Sequence, residues 1–364
     1  MYIPIMKNRD EEMLVMYNMN NYFGETIIPL IEIIKDKYDT KYEIDPKTGD
    51  FIYEKKPNRK KRNKIKLPPV EEDIITLDDI NKRINGKMAF IDFFRFSENE
   101  YDQKSFKGVE LSVKLSRDYD YYKKRLLETK KYPTLIPVVS IKSEFNISNY
   151  DFKELLDDLR MENKPIAIRL EDKYLDDYHD VLEEVILDED FIFFDIREKN
   201  VQSKFIELEE FTELESNAKK ILLNSPRPSS LKNGDFENLE LTKKIDNQVA
   251  KEFETIKLDG FGDFGGLKDS LPTDAGSNGT GAALGLIFLK NENAFFSIVN
   301  NETKLGVRGY KYVRDEIIKR LDYLDENQNC LAIERIKNMS EKYGSWKTWN
   351  NITLTRYIQQ QATK

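Results

Sequence analysis

Five carboxylates and three arginines stand where short apolar runs give way to polar residues, and this placement is what suggests chemistry. Glu32, Asp92, Glu171, Asp195 and Asp263, with Arg169, Arg197 and Arg227, lie at or near the ends of successive runs such as "TIIPLIEII", "KMAFIDFF", "PIAIRL" and "FIFFDI". Acids converging from several strand ends could hold Mg²⁺ or Mn²⁺, and arginines could grip a phosphate by paired hydrogen bonds. On that reading Asp92, Glu171, Asp195 and Asp263 are the catalytic candidates, while Glu32, Arg169, Arg197 and Arg227 hold the ligand. The matching chemistry is metal-dependent hydrolysis of a nucleotide or phosphodiester. The competing expectation is that acids and arginines neutralise one another as interior ion bridges that hold the site's walls together.

Other routes to catalysis are poorly supplied. The chain has one histidine, His179, so schemes built on several imidazoles fall away. Its one cysteine, Cys330, has no histidine beside it in sequence and reads as buried and inert. The stretch "KLDGFGDFGGLKDSLPTDAGSNGTGAALGLIFLKN", Lys257 to Asn291, holds eight of the 16 glycines but lacks the phosphate-loop spacing. Gly260, Gly262 and Gly265 nearly match a dinucleotide fingerprint, yet no suitable helix follows them. The expectation is close backbone approach and positive φ around a short strand, with Asp263 pointing into the site. Thr273–Ala283 reads as a loop, either plain or covering that site. Trp346 and Trp349 read as packing, with stacking on a base or sugar as the alternative.

The elements that position these residues follow from periodicity. Eight apolar, β-rich runs are expected as strands: Thr26–Ile34, Lys87–Phe94, Thr134–Ile141, Pro165–Leu170, Phe191–Ile196, Lys220–Ser225, Lys257–Phe264 and Ala282–Leu289. Amphipathic helices separate several of them, with Phe152, Leu155, Leu156 and Leu159 on one face, and Leu175, Tyr178, Leu182 and Val185 on another. Nearly continuous apolar strands suit a parallel sheet buried on both faces. Eight strands alternating with helices predict a (β/α)8 TIM-barrel-like α/β domain, with a doubly wound sheet as the alternative. The chain is read as a single domain over 1–364, with a basic insertion at 45–72 after the first strand and a C-terminal segment, 326–364, packed on the barrel. The insertion carries eight Lys or Arg between Lys55 and Lys66, and is expected as a solvated rim or hairpin, or as a contact for an acidic partner or nucleic acid.

Several short segments, in order, resemble the phage-associated beta protein family: "YIPIMKNRDEEMLVM" at the start, then "FID" at Asp92, "LIPVV", "AIRL" at Arg169, "FFDI" at Asp195, "ILLNSPRP", "GFGDFGG" at Asp263 and "WNNITLTRYI". The resemblance covers essentially the whole chain. It departs at Arg356-Tyr357, where the family often carries histidines, and at the basic insertion. It implies a phage or bacterial defence setting, and no settled reaction comes with it. The expected role is therefore recognition of a phage or host protein, or of a small ligand, at the barrel mouth. A net charge of -8 disfavours nucleic acid. The absence of a long apolar run and of a signal-like start, together with the lone cysteine, gives the expectation of a cytoplasmic protein with no membrane contact.

Overall fold

The computed structural model describes residues 1–55, 62–96, 108–271, 281–326 and 330–362. Eight parallel strands close on themselves: β1 (Tyr2–Lys7), β2 (Leu30–Glu32), β3 (Ala89–Asp92), β4 (Leu135–Ile141), β5 (Ala167–Glu171), β6 (Phe191–Asp195), β7 (Lys219–Leu223) and β8 (Gly260–Asp263). Closure is made by β8 alongside β1, with Tyr2 opposite Phe261 and Pro4 opposite Asp263. The fold is thus the TIM-barrel-like closed sheet that periodicity predicts.

Membership of the barrel is shifted by one strand from the expectation. Thr26–Ile34 supplies the second strand, because "YIPIMK" is the first. Pro4 argues against a central strand, yet the segment is wholly buried and paired on both sides. At the other end, Ala282–Leu289 does not join the barrel. Its core, β9 (Ala283–Leu289), forms an antiparallel hairpin with β10 (Ala294–Asn300), and Glu240–Thr242 adds a third strand. It mimics a barrel strand because both its faces are covered: Leu284, Leu286 and Phe288 join the main core, while Ala283, Ile287 and Leu289 join a second core with Val313, Ile333 and Trp349. A strand buried on both faces loses its alternation whichever way it pairs.

The C-terminal layer therefore begins near Ala283, not at 326. Its last element, the helix Trp346–Ala362, is buried from Asn351 through Gln359 and lies between the hairpin and the barrel. The basic insertion follows β2, not the first strand. Its described part is an exposed ribbon with Tyr53–Glu54 paired to Asn63–Lys64; Lys56, Arg59, Lys60 and Lys61 fall outside the described residues, as does most of the Thr273–Ala283 loop. Barrel helices behave as read. Asn149–Leu159 starts at Ser148, whose hydroxyl accepts from the Asp151 amide at 3.1 Å, and buries Phe152, Leu155, Leu156 and Leu159.

Close approach at β8 explains two of the glycines. A Cβ on Gly262 would lie 2.6 Å from Leu223 Cδ2 and 2.7 Å from the Ile3 carbonyl oxygen, so the strands on either side leave no room for a side chain. Gly265 and Gly266 then turn the chain with φ of 57° and 81°. Because one obstacle is backbone, Gly262→Ala should destabilise by about 1–3 kcal/mol. A urea midpoint lowered at constant slope is the expected result; an unchanged midpoint would show that β8 has slack.

Candidate functional site

Register sets the height of the polar groups. Lys7 lies opposite Glu32, and Glu32 opposite Asp92, so three consecutive strands end at one level. Below them the lumen is filled by rings, with Phe90 edge-on to Phe191 and Phe193 at 4.8 Å each. Charges placed directly above such a floor are stripped of water and need partners.

Arg169 supplies most of them. Its guanidinium reaches across the lumen from β5 and donates from Nη1 to Glu32 Oε1 at 2.7 Å and Asp92 Oδ2 at 3.0 Å. Nε and Nη2 both donate to Asp195 Oδ2, at 2.9 and 2.7 Å. Lys7 Nζ bridges Glu32 Oε2 at 2.5 Å and Asp269 Oδ1 at 2.6 Å, and Arg197 joins Asp269 to Asp195. Ser140 Oγ donates to Asp92 Oδ2 at 2.7 Å. Phe94 lies beside the layer, with Lys142 Nζ 4.2 Å and the Arg169 and Arg197 guanidinium carbons 4.5 and 5.4 Å from its centroid. Lys7, Arg169 and Arg197 therefore meet Glu32, Asp92, Asp195 and Asp269, and with Lys142 over the Phe94 ring the layer is close to neutral.

Protonation follows from burial and these partners. Burial pushes the Asp92 carboxyl up to about 6, with Arg169 opposing and Glu32 reinforcing the rise; its Oδ1 has no hydrogen-bond partner. Burial works against the Arg169 cation, but Asp195, Glu32 and Asp92 together hold it well above its ordinary range. Asp269 is the reverse case: burial favours its neutral form, and Arg197 and Lys7 overcome this to keep it ionised far below the usual carboxylate range.

Of the eight expected site residues, the structure brings five together: Glu32, Asp92, Arg169, Asp195 and Arg197. Glu171 sits at the rim and accepts from the Ser143 amide at 3.3 Å. Arg227 lies apart from the ion layer, in a cleft described below. Asp263 is a correction. Alternation along β8 turns Gly262 inward and Asp263 outward, away from Asp195 and Arg227 and toward the C-terminal helix. There it accepts from Tyr357 Oη at 2.7 Å, Tyr2 Oη at 3.1 Å and the Gly265 amide at 2.8 Å. Burial raises its carboxyl to about 6, these three donors opposing the rise. Sequence reasoning missed Lys7, Ser140, Lys142 and Asp269. Lys7 closes a run not read as a strand, and Asp269 lies in the loop after β8, where no periodicity marks it.

Mg²⁺ or Mn²⁺ does not fit this layer. Both oxygens of Glu32, Oδ2 of Asp92 and Oδ2 of Asp195 are spent on Arg169 and Lys7, Asp92 Oδ1 alone lacks a partner, and no group of three His, Cys, Asp or Glu among the described residues is arranged to hold a metal ion.

Above the layer lies a cavity of about 860 Å³. Its floor is made of segments that follow the strands: Arg9 and Glu11 after β1, Arg227 after β7, and Leu267 and Lys268 after β8. Its roof comes from the C-terminal layer, with Leu284, Leu286, Tyr310, Trp346 and Asn350. That is the carboxyl end of the barrel, where this fold carries its sites.

The family model described as Beta protein matches residues 2–363. The chain belongs to the Beta protein family. No curated protein matches it. Among solved structures, a putative alpha-L-fucosidase from Bacteroides thetaiotaomicron is similar at 11% identity, covering 71% of this chain and 80% of that one with a TM-score of 0.40. Among the described residues, no helix is long and apolar enough to cross a membrane.

Two outcomes test the electrostatics of the ion layer. Arg169→Met leaves three buried carboxylates facing one another and should cost about 3–5 kcal/mol, read as a fall in unfolding free energy near pH 7; a loss below 1 kcal/mol would show that the layer is wet. The second concerns pH. Asp92 and Asp263 have folded pKa values raised to about 6, so their stabilisation is complete below the unfolded value and is lost as pH rises through 6. For Asp263 the loss between pH 5 and pH 7.5 should be about 1 kcal/mol. Asp269 stays ionised throughout that window and adds no slope. Asp263→Asn should flatten the profile by that amount; an unaltered slope would mean that Asp263 does not take up a proton there.

Proposed function

We propose that this protein is a recognition module that holds a small ligand, or a segment of a phage or host protein, in the cleft over the barrel mouth, without turnover. The observation that carries this reading is the division of labour between two adjacent polar regions. Most of the strand-end acids and arginines neutralise one another, whereas the cleft above them is roomy and lined by apolar, aromatic and charged groups of both signs, Asp10, Glu11 and Glu12 on one side and Arg227 and Lys268 on another segment. A volume of about 860 Å³ is within the usual range for small-molecule sites. Hydrolysis of a phosphodiester at the mouth would need at least two of Asp92, Glu171, Asp195 and Asp263 to share a metal, and their present partners work against that. The phage or defence setting belongs to this reading through the family resemblance.

The test uses the roof of the cleft. Asn350 is half-buried on the C-terminal helix and lines the cavity, so Asn350→Trp fills space without entering a core. A thermal-shift screen of nucleotides, sugar phosphates, amino acids and short peptides should give a ligand that stabilises the native protein and not this variant. Cleavage of a phosphodiester substrate with Mg²⁺ or Mn²⁺, lost in Asp92→Asn and Asp195→Asn, would replace this reading with the hydrolase.

A further inference from the structure

Three buried arginines and the half-buried Arg197 are each matched to a carboxylate: Arg169 and Arg197 in the mouth, Arg125 with Asp36 at 2.8 Å, and Arg356 with Asp325 at 2.9 Å. Arg227 is not. It is 4% exposed, and its partners among the described residues are neutral: the Gly266 carbonyl at 3.4 Å, Asn233 Oδ1 at 3.0 Å and the ring of Phe236 at 5.0 Å. Its Nε has no partner. Arg95 also has no carboxylate partner among the described residues, but it is held by two carbonyl oxygens and the face of Tyr122 and does not line the cleft.

We propose that Arg227 and Lys268 form an anion subsite of the cleft, built to take the phosphate of a nucleotide-sized organic phosphate. This deepens the recognition reading and rests on it. A buried guanidinium without a counter-charge is costly to keep, and a ligand that brings the charge relieves that cost on binding. Lys268 is the second cation on this wall. It donates to the Ser229 carbonyl at 2.8 Å, and burial followed by repulsion from Arg227 lowers its pKa, with Asp235 and Glu198 partly offsetting this. Burial likewise brings Arg227 down to about 10, and the one group opposing the fall is Tyr310.

Two cations match a phosphate monoester dianion better than a carboxylate, which would leave one of them unneutralised. The rest of the ligand has a place. Leu284, Leu286, Tyr310 and Trp346 offer apolar and aromatic wall to a flat ring. Glu11, on the floor segment that follows β1, has Oε2 without a partner, which suits an amine or hydroxyl donor and repels a second phosphate.

Calorimetric titration with adenosine 5′-monophosphate, adenosine, inorganic phosphate and benzoate tests this on the full chain. The monophosphate should bind at least about ten-fold more tightly than adenosine, and benzoate should bind more weakly than inorganic phosphate. Arg227→Gln should bring the monophosphate down to the level of adenosine, and without ligand its melting temperature should equal or exceed that of the native protein. Lys268→Ala should weaken the monophosphate by a smaller factor and reduce the salt dependence of binding. The proposal is overturned if the phosphate-bearing probes do not bind at millimolar concentration, if adenosine binds equally well, or if Arg227→Gln unfolds or melts as low as Arg169→Met. A neutral ligand lost in Asn350→Trp, with no response to phosphates, would sink the anion subsite and leave the cleft reading standing. Monophosphate binding lost in Arg227→Gln but kept in Asn350→Trp would do the opposite.

Discussion

The barrel mouth depends on one guanidinium. Arg169 starts on β5 and ends against acids from β2, β3 and β6, so a single side chain spans the lumen and ties β5 to β2 and β3, which are not its neighbours in the sheet, as well as to the adjacent β6. Over a floor of phenylalanines this is possible only with full compensation, because each unpaired charge would cost several kcal/mol. Compensation fixes geometry: Glu32, Asp92 and Asp195 must end at one level, and the loop after β8 must return so that Asp269 can satisfy Lys7 and Arg197. A layer organised in this way is a lid on the core more than a reaction vessel. Recognition moves one storey up, into the cleft.

The cleft has a fixed roof, and the reason is again a buried polar contact. The C-terminal helix is attached to the barrel through Tyr357 and Asp263 and through Asn351 Nδ2, which donates to the Glu11 carbonyl at 3.0 Å. It is attached to the antiparallel layer through Thr353 and Arg356, which donate to the Leu286 and Phe288 carbonyls, and Arg356 is in turn neutralised by Asp325. A pocket formed between two layers joined this way is largely preformed, which lowers the ordering cost of binding.

Much of this was legible in the sequence, for reasons that particular residues make plain. Seven of the eight barrel strands could be read because their cores are short, largely apolar runs, several of which end on a charge. Tyr2–Lys7 was not read as a strand, and β9 was misassigned because burial on two faces erases the alternation that marks an antiparallel strand. Within the site, Arg169, Glu32, Asp92, Asp195 and Arg197 could be found by asking what closes each run. Asp263 satisfied the same rule and still faces the other way: strand-end position does not fix the face, and a one-residue difference in where β8 begins inverts it. The C-terminal helix was visible only as an apolar, aromatic segment, since burial all round removes the amphipathic stripe.

Arg169 and Arg227 show where sequence reading stops. Both follow or end apolar strands, both are almost wholly buried, and nothing local distinguishes "IRLE" from "SPRP". Their difference lies in residues far along the chain. Arg169 meets Glu32, 137 positions away, and is neutral with its surroundings, whereas the Gly266 carbonyl that Arg227 reaches, 39 positions away, brings it no charge. A structural arginine is recognised by what it already has, and a binding arginine by what it lacks. That lack is a property of the assembled cleft, since it requires the turns after β7 and β8 to converge under Tyr310 without bringing a carboxylate among the described residues to Arg227.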